Sequence, residues 1–345
     1  MNCNKIIGRV WSKSDLRSLD YLDDYNEFNI QQYEFSVDVK LSYVHYKFPI
    51  PRVTRPGNYL LVAYRGSNEK DIILSHRFMI YGEEMSVGIT SNLRGLTSVD
   101  RKRQQIDFIV NYGKVEMRNP LEQVRVVIRQ NQRWDNALQL NKPSFVREMD
   151  GQLEYQFFNY ENAFYGGSEF RFFDMRSLQY PGQNVAFANR QQRPVQVVLG
   201  RDKFRGTEAY SLIEDLNGDF VIANSDTGNG IIESDYVEVT FNLDYDKDFK
   251  GEIYVVGQMN NYILSPANRM NYDESKEIYS TRLLLKQGWY NYKYEVKSDS
   301  LPINFFEGDH YETENSYEIF VYYDPLTERG EYLMGYKEVR LNTIR

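Results

Sequence analysis

The sequence of 345 residues has a single cysteine, Cys3, so one chain can form neither an internal disulfide nor a zinc site built from cysteines. Positive charge is also scarce, because 41 Lys and Arg residues stand against 49 Asp and Glu residues and the net charge is −8. A nucleic-acid partner is therefore not expected, since binding to phosphates needs a surplus of positive charge. No apolar run reaches the about 18 residues that a membrane-spanning helix needs, and the first residues lack the apolar stretch of a secretory signal.

Sequence motifs of the common enzyme classes are missing as well. The three histidines, His45, His76 and His310, lie far apart, and there is no nucleophile elbow, P-loop or dinucleotide-binding glycine motif. The acidic loop at 244–248 has carboxylates at alternate positions but does not complete a calcium-loop pattern, and the loop at 215–219 is better explained as a turn at Asn217 and Gly218. We therefore predict no catalytic residue, no metal site and no cofactor.

Aromatic residues, in contrast, make up 15% of the chain, and this share favours β-strands, whose half-buried faces accommodate flat rings. Alternation of apolar and polar residues is clear at several places, which predicts strands with one buried and one solvated face. Typical examples are Val237, Val239, Phe241 and Leu243. Helix signals are few, and the best of them is short, about three turns at residues 14–25.

These patterns predict an all-β fold of three consecutive antiparallel β-sandwich domains, immunoglobulin-like or E-set-like. Breaks in the strand rhythm at 81–84 and 224–234 place the domains at residues 1–84, 85–229 and 230–345. Within the third domain, the strands on either side of Lys286, Gln287 and Gly288 are predicted to form a hairpin, with Gly288 at positive φ.

Five short segments run in order along nearly the whole chain, within residues 43–49, 57–79, 166–174, 235–241 and 307–336. Together they resemble one family, the type IX secretion system plug proteins of Bacteroidota, formerly a domain of unknown function. The resemblance carries over no functional residue, and we predict structural roles for the matching side chains. They are Tyr43, His45 and Tyr46; Glu169, Phe170, Arg171 and Asp174; and Glu307, Asp309, Thr313, Asn315 and Tyr317.

The resemblance implies a non-catalytic periplasmic protein that docks on the outer-membrane translocon of type IX secretion and seals its channel when no cargo passes. Family members begin with a signal peptide and several further strands. The resemblance therefore implies that this sequence starts inside the first sandwich, which is incomplete and has an unpaired strand edge.

The last domain is also loosely similar to the carbohydrate-binding modules of glycogen-handling proteins, in residues 255–262 and 288–294. This likeness supports an alternative function, a glycan-binding accessory protein with Tyr262 or Trp289 as an aromatic platform. Either residue is equally a candidate for protein contact. An enzyme would need a cleft of carboxylates with perturbed pKa values, which no pattern in the sequence singles out.

Overall fold

The computed structural model describes residues 2–7, 10–23, 25–90, 101–180, 182–325 and 329–343. With 43% strand and 4% helix, the prediction of an all-β fold is confirmed. The helical pieces of these residues are one α-helical turn and three short 3-10 turns: Pro120–Gln123, Ser18–Asp20, Glu148–Asp150 and Gln258–Asn260.

The helix predicted at residues 14–25 is wrong, because among the described residues of that range only Ser18–Asp20 is helical. Leu22 instead forms a β-bridge with Val53. Leu22 and Tyr21 are buried against Tyr59, so tertiary packing overrides the weak local helix signal here.

The described residues form 25 strands. Those before residue 120 are β1 (Asn2–Ile7), β2 (Val10–Lys13), β3 (Gln32–Phe35), β4 (Val44–Lys47), β5 (Gly57–Tyr64), β6 (Ile72–Ile80), β7 (Ser86–Ile89), β8 (Arg103–Gln105) and β9 (Phe108–Asn111). Those between 120 and 225 are β10 (Val124–Gln130), β11 (Leu138–Leu140), β12 (Phe145–Arg147), β13 (Gln152–Tyr155), β14 (Ala163–Tyr165), β15 (Arg171–Asp174), β16 (Val185–Asn189), β17 (Val195–Lys203) and β18 (Phe220–Ile222). The remainder are β19 (Tyr236–Asp244), β20 (Glu252–Val256), β21 (Asn271–Asp273), β22 (Ile278–Lys286), β23 (Gly288–Lys297), β24 (Asn315–Tyr323) and β25 (Tyr332–Leu341).

The strands belong to two compact units that interleave along the chain. Unit 1 comprises Met1–Asn29, Pro49–Phe164 and Asn315–Arg345, and unit 2 comprises Ile30–Phe48 and Tyr165–Glu314. This division differs from three consecutive blocks. Strand β24, predicted in the third block, pairs with β10, and residues 30–48 of the first block belong to unit 2. Breaks in rhythm mark loops, but they do not reveal which distant strands pair.

Unit 1 contains a first sheet in the order β2-β1-β5-β6 and a sandwich of two further sheets, β12-β13-β9-β7 and β11-β10-β24-β25. The sandwich core takes side chains from both of its sheets, including Phe108, Leu153, Ile128 and Ile319, each with no exposed surface. These residues come from alternating apolar positions, as a sheet with one buried face requires.

Unit 2 is a second sandwich, with β16-β17-β19-β22-β21 on one side and β15-β23-β18 on the other, where β20 also pairs with β23. Strands β17 and β19 pair in parallel, unlike the antiparallel pairs around them. Val237, Val239, Phe241 and Leu243 are fully buried in its core, as their alternation predicts. A separate two-stranded hairpin, β3-β4, completes the unit.

The hairpin predicted around Gln287 is wrong, because β22 and β23 are consecutive strands of opposite sheets. The chain crosses from one sheet to the other at Gln287, which is buried and whose backbone N–H donates to Asp235 O. Gly288 is not at positive φ; it is needed because a Cβ there would lie 2.2 Å from Val221 O.

Candidate functional site

Two segments that carried the family resemblance, residues 166–174 and 307–314, lie against each other in unit 2. Gly167 is the centre of the contact, since its O atom accepts from His310 N and Thr313 Oγ1, both at 2.8 Å. Its N–H donates to Asp309 Oδ1, and its φ of +67° suits a residue without Cβ. Backbone and side-chain hydrogen bonds thus join residues that are 136 or more positions apart in the sequence.

Glu307 is the centre of a buried ionic cluster at this contact, with 2% of its side chain exposed. Arg171 Nε lies 3.1 Å from Glu307 Oε1, Arg205 Nε lies 2.5 Å from Oε2, and the backbone N–H of Tyr294 donates to Oε1. Burial alone would raise the pKa of this carboxyl, but the two guanidinium groups and the N–H lower it to about 2.

Asp202 closes the other side of the same cluster. Its carboxylate accepts from Arg171 Nη1 at 3.1 Å and from the hydroxyls of Tyr292 and Tyr294 at 2.6 and 2.7 Å. Burial and then the negative charge of Asp202 raise the pKa values of both tyrosines well above the ordinary value. Arg171 is therefore held between two carboxylates, Glu307 and Asp202.

Glu169 and Asp215 attach the loop between β17 and β18 to the same segment. Glu169 is buried and accepts from Tyr210 OH at 2.5 Å and from Glu314 N at 3.0 Å. Asp215 accepts from the backbone N–H of Phe170. Burial raises the pKa of Glu169 and raises that of Asp215 to about 7, although hydrogen bonds to both carboxylates oppose the change.

The cluster is built to hold segments together. Its carboxylates accept hydrogen bonds from guanidinium, hydroxyl or backbone N–H groups of the same unit, the arrangement that stabilises buried charge. Its essential members Asp202, Arg205 and Tyr210 were missed by sequence reasoning. Nothing local distinguishes them, because they become important only through pairing with residues at least 31 positions away.

Asn315 and Tyr317 lie outside this cluster, in unit 1, where they form a buried polar network. Asn315 Nδ2 and Tyr317 OH both donate to Gln104 Oε1, at 2.9 and 2.5 Å. Asn131 Nδ2 donates to Asn315 Oδ1, and Gln130 Nε2 donates to Tyr317 OH. The network joins β24 to Gln130 of β10 and to Gln104 of β8, a structural arrangement.

The two residues considered for glycan contact do not offer a shared platform. Tyr262 is 3% exposed and packs against Phe170, with ring centroids 6.4 Å apart. Trp289 is half-buried, and one face of its ring is stacked on Phe172 at 5.4 Å. Asp174, opposite Trp289 in the sheet, forms an ion pair with Arg176 at 2.7 Å.

The hairpin β3-β4 carries an exposed group of aromatic rings, called here the aromatic face: Tyr33, Phe35 and Tyr46. Their exposed fractions are 55%, 66% and 58%. Tyr33 lies opposite Tyr46 in the register and 5.6 Å from Phe35 in ring centroids, so the three rings share one face. The other face carries His45 opposite Glu34 and the ion pair of Glu34 with Lys47 at 2.5 Å.

The turn of this hairpin is firmly attached to the remainder of unit 2. Tyr43 OH donates to Ile231 O at 3.0 Å, and the Tyr43 ring meets the Tyr236 ring edge-on at 5.5 Å. Lys286 Nζ lies 4.1 Å from the centre of the Tyr43 ring, a cation–π contact. Burial and then Tyr236 raise the pKa of Tyr43 to about 12. Tyr43 is thus an anchor, whereas Tyr46 faces solvent.

Among the residues that the structure describes, no group of three or more His, Cys, Asp or Glu side chains is placed to hold a metal ion. Within the same ranges, no helix is long and apolar enough to cross a membrane.

Comparison with known proteins supports the family resemblance for the first part of the chain. Residues 5–82 match the family model described as "Type 9 secretion system plug protein 1st domain", so the resemblance is confirmed over these residues. A crystal structure of a hypothetical protein from Parabacteroides merdae ATCC 43184 is similar to the chain with a TM-score of 0.89 and 26% identity. The similarity covers 99% of this chain and 86% of that one. No curated protein matches the chain significantly.

Proposed function

From the match over residues 5–82, we propose that this chain is a non-catalytic component of the type 9 secretion system in the bacterial envelope. In this proposal it docks from the periplasm on the outer-membrane translocon and closes the channel when no cargo protein passes. The family match is the observation that carries the proposal. The matched residues include the whole β3-β4 hairpin and its aromatic face.

The aromatic face has the character of a docking surface. Tyr and Phe are enriched at protein interfaces because they provide a large stiff contact area at a small entropic cost. Tyr33, Phe35 and Tyr46 are each more than half exposed on a hairpin whose turn is anchored by Tyr43. A stable contact of about 1,200 to 2,000 Å² would be centred on these rings and surrounded by the charged side chains of the hairpin.

A plug must keep its shape under load, and the cluster around Glu307 supports this requirement. It ties residues 166–174, the β17-β18 loop and residues 307–314 into one hydrogen-bonded body within unit 2. Satisfied buried polar networks make a structure rigid and unique. The cluster thus serves the proposed mechanical role without chemistry of its own.

The glycan-binding alternative gains no support from the geometry of its two candidate residues. A sugar platform needs an open ring face, and Tyr262 is buried while Phe172 covers one face of Trp289.

The experiment that tests the proposal is co-purification of the tagged chain with the secretion machinery from its own cells, after mild detergent extraction. The double variant Phe35→Ser with Tyr46→Ser should lower recovery of the outer-membrane partner by at least about tenfold, as loss of two interface hot spots predicts. The matched control is Phe187→Ser with Phe145→Ser, since these rings are 56% and 58% exposed elsewhere on the chain. Equal recovery with both variants, or no partner with the unaltered chain, would contradict the proposal.

A further inference from the structure

The first sheet of unit 1 ends in a strand whose free edge is unusually apolar. In the sheet order β2-β1-β5-β6, strand β6 is terminal, and no strand among the described residues pairs with its outer edge. Ile72, Ile73 and Leu74 are consecutive and are 56%, 61% and 57% exposed. Because successive side chains of a strand point to opposite sides, both faces of this edge are apolar.

Edge strands of monomeric proteins usually carry charges, prolines or bulges that prevent pairing with another chain. Here the exposed apolar residues are the first three of the strand, and the opposite charges Asp71 and Arg77 lie on either side of them. The base of the hairpin is firmly held, since Phe78 stacks on Tyr59 at 5.4 Å and Tyr322 OH donates to Asn58. The hairpin that presents this edge is thus fixed to the unit at its base.

We propose that strand β6 pairs antiparallel with β6 of a second copy of this chain, centred on Leu74. In this register Leu74 faces Leu74 of the second copy, and Asp71 faces Arg77 of the second copy twice, once on each side of the two-fold axis. Ile73 faces Ser75, and Ile72 faces His76. The apolar residues become a shared cluster, and both ends are closed by opposite charges.

The charged residues favour this register over the register that is shifted by one residue. A shift of one residue, which sets Ile73 opposite Leu74, would place Lys70 opposite Arg77, two like charges across the strands. The centred register avoids that repulsion and gains two ion pairs. The pairing involves other residues than the aromatic face and does not depend on the function proposed above.

The test is sedimentation velocity of the full chain between about 1 and 300 µM, since a single edge contact belongs to the small, transient class of interfaces. A concentration-dependent dimer is expected. Asp71→Arg and Arg77→Asp should each weaken it by about tenfold, because each change alters two symmetry-related pairs, and the combined exchange should restore it. Ile73→Lys should also weaken the dimer, whereas Leu284→Lys, at an apolar residue 55% exposed in unit 2, should not.

The register itself is tested by oxidation of Leu74→Cys on a Cys3→Ser background, which should give a disulfide-linked dimer, while Leu284→Cys should not. Circular dichroism of each variant checks that the chain is folded. A chain that stays monomeric throughout, or a dimer unaffected by the charge exchanges, would overturn the proposal. The proposal would also be overturned if the chain were monomeric and co-purified with an envelope protein, and if Ile73→Lys abolished that co-purification. This result would mean that a strand of the envelope protein pairs with β6 instead of a second copy.

Discussion

Replacement of Glu307 by glutamine should destabilise unit 2 strongly, because it removes the charge that two buried guanidinium groups share. The substitution keeps the size of the side chain, but Arg205 loses its carboxylate and Arg171 keeps only Asp202. Breaking a buried ion pair by removing one partner costs about 3 to 5 kcal/mol. This is a large part of the stability of an ordinary domain.

The pKa of Glu307 leads to a similar magnitude by a second route. Its ordinary value of 4.5 falls to about 2 in the folded chain. At about 1.4 kcal/mol for each pKa unit, ionised Glu307 stabilises the fold by about 3 kcal/mol. Because the folded value is the lower one, this stabilisation is present above pH 4.5 and is lost as the pH falls toward 2.

The assay is urea unfolding followed by the fluorescence of Trp289, which lies in unit 2 against Phe172. Trp11→Phe and Trp134→Phe leave Trp289 as the sole tryptophan, since the chain has 3. At pH 7 Glu307→Gln should lower the free energy of unfolding by about 3 kcal/mol. The control Glu252→Gln, in an exposed ion pair, should change little.

The pH dependence provides the sharper test. The difference between the unaltered chain and Glu307→Gln should shrink as the pH falls below 4.5. A difference under about 1 kcal/mol at pH 7, or one that is constant down to pH 2, would refute the reasoning.

Three further predictions follow from single contacts. Burial raises the pKa of Asp215 from 3.8 to about 7. Its stabilising contribution is therefore present below pH 3.8 and is lost as the pH rises through 7. In parallel urea titrations, the free energy of unfolding of Asp215→Asn should not show this decrease. Gly288→Ala should cost about 1 to 3 kcal/mol in urea unfolding because its Cβ would overlap Val221 O, whereas Gly113→Ala, with open space around it, should be tolerated. Tyr262→Ala should lower the free energy of unfolding by about 3 to 5 kcal/mol, as expected for a buried ring. In calorimetry, the heat of mixing with starch should be the same for this variant and for the unaltered chain.

Alternation of side chains was sufficient to predict several strands, because burial of one face of a sheet is encoded locally. The alternating residues Val237, Val239, Phe241 and Leu243 lie in the observed strand β19 and are fully buried, as predicted. The pairing of strands into sheets was harder to predict from the sequence. The crossing at Gln287 resembles a hairpin in sequence, since two strands separated by a short polar turn occur in both cases.

The candidate site was predictable only in part, for the same reason. The motif residues Glu169, Arg171 and Glu307 were singled out from the family resemblance and do meet in space. Their partners Asp202 and Arg205 were not, because a charged residue after an apolar strand has the pattern of a solvated end. The assignment of residues 30–48 to unit 2 likewise depends on contacts such as Tyr43 OH to Ile231 O, 188 positions apart.

The central claim, docking through the aromatic face, is tested most directly by photo-crosslinking in living cells. A photoreactive amino acid is placed at Phe35 and, in a separate strain, at Phe187, which is similarly exposed at 56% against 66%. The account predicts an adduct with an outer-membrane protein of the secretion system from position 35 and none from position 187. No adduct from position 35, or the same adduct from both positions, would contradict it.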